Sequence, residues 1–144
     1  MRALIVISMR AAVKKPAINL NALGFGFANV ADFLKLSRIF EDVGVSAYAG
    51  AAPLITNSTY LEAAARILAT EAQHSGTVRF ACIYWGVNSP KVDGMDVVPT
   101  PQTPFCVDSS ALSIARSTSQ VPQIVYGGNS PGGFFPQGLN GTIR

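Results

Sequence analysis

The sequence predicts an all-α protein built on two long antiparallel helices, followed by an irregular segment rich in proline and glycine with one short helix. Three observations predict it. From about Asn29 to Gly50 the apolar residues Phe33, Leu36, Phe40, Val43 and Ala47 recur at three- and four-residue steps, the spacing of one helix face. A second run, from about Thr59 to Trp85, has the same period and opens on Thr59-Tyr-Leu-Glu62, where a hydroxyl and a carboxylate can satisfy two free backbone donors reciprocally. About eight residues separate the two runs, a length that joins antiparallel neighbours in a bundle.

Each element follows in order. Residues 1–13 are a short strand or the end of a helix, because so brief an apolar run has no decisive period. Lys14-Lys15-Pro16 closes it, and residues 16–28 form a loop marked by Asn19, Asn21, Gly24 and Gly26, with Phe25 and Phe27 as anchors onto the core. Asn29 or Asp32 caps the first helix, and Gly50 followed by Pro53 stops it. The second helix, on the order of 40 Å long at 1.5 Å per residue, ends at Gly86, where a left-handed residue is wanted. Val98-Pro-Thr-Pro-Gln-Thr-Pro104 sustains neither helix nor central strand and reads as an extended crossing. A short helix is expected from Ser109 to about Ser119 behind an Asp108 cap, and then a glycine-rich tail with Phe134 and Phe135 as docking points. The organisation is therefore a remnant at 1–15, a helical pair at 16–86 and a packing segment at 87–144; no repeat of solenoid period occurs.

Hydrophobic residues are 49% and charged residues 13%, so the chain packs rather than staying disordered. The longest apolar stretch, Ala3 to Ile7, is far short of the roughly 20 residues a membrane helix needs and too short for the core of an export signal. The compartment stays open, and an exported location would call for a longer N-terminus. The net charge of +3 comes from Arg2, Arg10, Lys14 and Lys15 within the first 20 residues, and the remainder carries seven basic against eight acidic residues. No folded element shows a basic stripe, so nucleic acid is not an expected partner. Cys82 and Cys106 fit no zinc spacing; they read as small buried hydrophobes and would pair only in an exported chain.

Chemistry concentrates on two helices. The stripe Leu61, Ala64, Leu68, Glu71, Ser75, Val78, Cys82 puts Glu71 on the apolar seam, and His74, the only histidine, lies three residues on, near the same face. On the first helix Glu41 falls on the line Leu34, Ser37, Glu41, Val45, Tyr48. Inward carboxylates must pair, take up protons or bind a metal. A Glu from one helix with Glu-x-x-His from its neighbour is the ligand pattern of carboxylate-bridged di-iron and di-manganese sites, and a satisfied Glu–His network within a core is the alternative. Glu62 and Arg66 read as a solvated i,i+4 pair, Asp42 points about 100° away from Glu41, and Gly24-Phe-Gly26 lacks the strand and third glycine of a dinucleotide site.

The runs Lys15-Pro-Ala-Ile-Asn-Leu20, Phe40-Glu-Asp-Val-Gly-Val-Ser-Ala-Tyr-Ala-Gly-Ala-Ala-Pro53 and Ala63-Ala-Ala-Arg-Ile-Leu-Ala-Thr-Glu-Ala-Gln-His74 resemble the ferritin-like domain family that includes the desiccation-related proteins of plants and bacteria and related fungal stress proteins. The resemblance spans roughly residues 11–144. It implies a four-helix ferritin-like bundle of which this chain holds the C-terminal half, with Glu41, Glu71 and His74 at metal-ligand positions and residues 1–13 as the end of the second helix. The expected cofactor is iron or manganese and the expected chemistry, if any, is redox of the ferroxidase type. The other Glu and the other Glu-x-x-His belong to the family's first two helices, which this sequence lacks. A homodimer about a two-fold axis would restore that ligand count and cover the exposed apolar faces. The alternative function is a non-enzymatic protective helical protein with a buried Glu/His network and no metal.

Overall fold

The computed structural model describes residues 16–128 and 131–138, so the expected strand or helix end at 1–13 lies outside the described residues. Three α-helices occur in them: α1 at Val30–Ala51, α2 at Ser58–Tyr84 and α3 at Gln120–Val125. No strand is present among the described residues, only isolated bridges at Thr100–Thr103, Val107–Ser113 and Gly132–Phe135. No helix among them is long and apolar enough to cross a membrane.

Asn29 resolves the choice of cap for α1. Its backbone is extended and its side-chain oxygen accepts from the Asp32 N–H at 2.9 Å. The helix does not stop at Gly50 as expected; it runs to Ala51 and tightens into a 3-10 turn, Ala52–Leu54, that takes up Pro53. Gly50 serves another purpose, since a Cβ there would lie 1.8 Å from the carbonyl oxygen of Arg116. Its missing side chain lets the C-terminal segment lie against the helix.

The capping box expected at Thr59 does not form. Asn57 holds the extended backbone just before the helix, and its side chain accepts from the Thr59 and Tyr60 N–H groups at 3.0 and 3.1 Å. The other end matches expectation: Gly86 has φ +62°, with Gly86 N–H bonded to Ile83 O and Val87 N–H to Cys82 O. The expected helix at Ser109–Ser119 is displaced. The Asp108 carboxylate accepts from the Ser110 and Leu112 N–H groups and closes a turn through Ala111 at φ 59°, so the helix begins only after Ser119. A serine- and aspartate-rich run offers the backbone this local alternative to helix.

The two long helices pack antiparallel, as Leu34 meeting Cys82 and Asp42 meeting Ser75 and Arg79 show. Residues 87–128 and 131–138 cover the opposite side of α1. Ile39, Leu36 and Val43 are buried there, and the ring of Phe134, 1% exposed, packs tilted against that of Phe40 with centroids 4.9 Å apart. Phe134 is thus the docking point expected of it. Phe25 sits beneath the Lys35 ammonium, whereas Phe27 is 55% exposed and its ring lies 6.2 Å from that of the half-exposed Phe33.

Three arginines fix this segment to the helices. Arg38, Arg79 and Arg116 are 0%, 0% and 1% exposed. Arg38 grips both oxygens of Asp96 at 2.8 and 2.7 Å, and also bonds Ser89 Oγ and Pro90 O. Arg79 donates to Asp42 at 2.6 Å and to the carbonyls of Val97, Thr103 and Pro104. Arg116 forks onto Asp93 and reaches Ser46 Oγ on α1. A guanidinium presents five donors in one plane, which is why one side chain can tie a carboxylate and several loop carbonyls together.

Candidate metal centre

Glu41, Glu71 and His74 come together across the α1–α2 seam, on the side away from the arginine network. One ligand atom from each lies within 4.8 Å of the others. His74 Nδ1 is 3.4 Å from Glu71 Oε2, one turn along the same helix, and 3.6 Å from Glu41 Oε2 across the seam. The helical periods that placed these residues on neighbouring faces also set this geometry, because the antiparallel register brings the middle of α1 to the middle of α2.

Glu41 is the strained member. Its Oε2 is buried and has no hydrogen-bond partner, an arrangement a carboxylate tolerates only with a proton or a cation. Burial, and then the neighbouring Glu71 carboxyl, push the Glu41 pKa up to about 7; the His74 imidazole acts in the opposite direction. His74 differs from the inward-pointing expectation, since its side chain is 55% exposed while those of Glu41 and Glu71 are about a quarter exposed. The imidazole therefore sits on the open margin of the seam.

Tyr48 belongs to this neighbourhood and was not singled out as chemistry in the sequence. Burial and the Glu71 charge raise its phenol pKa, which keeps the hydroxyl protonated. The signal was present, because Tyr48 lies two turns from Glu41 on the same line of α1.

A second group, Asp42, Asp96 and Cys106, also offers three ligand atoms within 4.8 Å. Arg38 and Arg79 already occupy its carboxylates, so the charge that a cation would supply is there in covalent form. Both cysteines are free thiols, Cys82 buried and Cys106 half-buried, and burial raises the pKa of each. That agrees with their reading as small hydrophobes.

The three side chains fit a metal of oxygen- and nitrogen-ligand preference: two carboxylates, one of them with an orphaned buried oxygen, and one imidazole. A family model described as a ferritin-like domain matches residues 2–83, more than half of the chain. No curated protein and no solved structure matches it.

Proposed function

The chain belongs to the ferritin-like domain family, and from that premise we propose that Glu41, Glu71 and His74 hold iron or manganese as one half of a carboxylate-bridged centre. The observation that carries this reading is the buried, partnerless Glu41 Oε2, 3.6 Å from an imidazole nitrogen and within reach of a second carboxylate. Bound iron or manganese would supply redox chemistry toward oxygen, of the ferroxidase type. The chain's own part is to deliver two anionic oxygen donors from separate helices, to keep His74 at the open margin, and to hold the Tyr48 phenol protonated close by. The resemblance over Phe40–Pro53 supports a role in protection under stress or desiccation.

Anaerobic titration of the purified chain with Fe(II) and Mn(II), followed by elemental analysis, tests the reading. Saturable metal should bind to the wild type and be lost in Glu71→Ala, with helical circular dichroism retained. A wild-type chain that binds no more metal than Glu71→Ala overturns the proposal and makes the three side chains a packing network.

A further inference from the structure

Apart from Ser37, the face of α1 and α2 that carries the cluster is apolar. Phe33, Gly44 and Tyr48 on α1, and Ile67, Val78 and Ala81 on α2, lie within about 80° of the ligand on their own helix, at 100° per residue, and on the side of it away from Arg38 and Arg79. Phe33 is 50% exposed and the other five are half-buried. Among the described residues the cluster supplies the charge on this face; the arginines and Asp42 turn the other way, and Glu62 and Arg66 stand on the outer side of α2.

The position of the cluster along the helices is informative. Glu41 has eleven residues of α1 before it and ten after, and Glu71 has thirteen residues of α2 on each side. A cluster centred on both helices meets its own copy with the helices overlapping along their whole length, whether the two-fold axis in the plane of the face runs along the helices or across them. A pair of helices of this length presents about 35 Å by 20 Å, so self-association covers roughly 1,400 Å² in total, the size of a stable interface. A second copy brings three further ligand side chains to this face.

We infer that this face is the contact surface for a second copy of the chain, related by a two-fold axis through the Glu41–Glu71–His74 cluster, so that each copy completes the other's ligand set. This rests on the metal reading above for its chemistry, and on the shape and apolar character of the face for its geometry. Two sets of ionised carboxylates brought face to face repel unless a cation lies between them, so above the pH at which Glu41 ionises metal and second copy bind cooperatively.

Light scattering on the full chain, with chelator and with Mn(II), is the test. The expected mass is that of two 15.2 kDa chains, with at least tenfold tighter association when Mn(II) is present. Ile67→Glu on the face should give a helical monomer whose Mn(II) affinity falls at least tenfold, and Tyr60→Glu, on the same face but 44% exposed, does the same where Ile67→Glu does not fold. Ala69→Glu on the outer side should leave the dimer intact. A chain that dimerises through this face yet binds no Mn(II) supports the interface and overturns the metal reading alone. A monomer that binds Mn(II) as tightly as Ile67→Glu overturns the interface and leaves the metal reading standing; a dimer that Ile67→Glu and Tyr60→Glu both preserve also overturns it.

Discussion

Burial and a neighbouring carboxyl hold Glu41 protonated to about pH 7, where a glutamate in an unfolded chain ionises near 4.5. Between those two values unfolding of the metal-free protein releases a proton, so the contribution of Glu41 to stability is fully present below about 4.5 and is lost as pH rises through about 7. The thermal midpoint of the wild type in chelator should therefore fall relative to Glu41→Gln between these pH values, with the two curves parallel above and below. Parallel curves throughout would show that the carboxyl is solvated and not orphaned. That Glu41, Glu71 and His74 meet at one seam was readable from the sequence, because three- and four-residue spacing is enough to put side chains there. The exposure of His74 was not, since it depends on what covers the seam and no local pattern encodes that.

Helix ends show where local rules give two answers. Asn57 and Thr59 both carry good capping groups, and Thr59 has the added attraction of Glu62 three residues on. The backbone decides: Asn57 is extended, with its oxygen shared between two N–H groups, while Thr59 already lies within the helix. Asn57→Ala should accordingly cost about 1 kcal/mol in denaturant unfolding, and Thr59→Ala a few tenths or less, the reverse of what the capping-box reading requires. Asp108 has the same lesson. Its carboxylate closes a turn rather than starting a helix, and the choice lies in Ala111 adopting φ 59°, a conformation that alanine gives no cue for. The strongly periodic helices, by contrast, were located to within a residue or two.

At the scale of the molecule, the helical pair was legible and its attachment to residues 87–128 and 131–138 was not. Apolar periodicity is a local signal, but the attachment depends on Arg38, Arg79 and Arg116 finding partners up to 70 positions away. Arginine on a helix reads as solvated by default, so these three gave no sign of burial. The one hint was spacing: Arg38 stands four residues before Asp42, and Arg79 four after Ser75, both on the line that enters the seam. Arg38 is wholly buried and its second carboxylate, Asp42 at 3.7 Å, is already held by Arg79, so removing Asp96 leaves two buried guanidinium groups on one carboxylate, and the loss exceeds anything a surface pair could show. Asp96→Ala should destabilise the fold by about 3–5 kcal/mol. Asp32→Ala, which removes a partly exposed pair with Lys35 as well as the side-chain contact to Asn29, should cost about 1 kcal/mol or less. Asp96 also accepts from the Val92 N–H, so the same substitution should release the loop around it and open residues 87–119 to limited proteolysis before α1 and α2 are cut. If Asp96→Ala unfolds in one step with no early cleavage there, the segment and the helices form a single cooperative unit. The face bearing Glu41, Glu71 and His74 would then depend on the arginine network behind it for its flatness, and a partner copy would meet a surface held rigid from the far side.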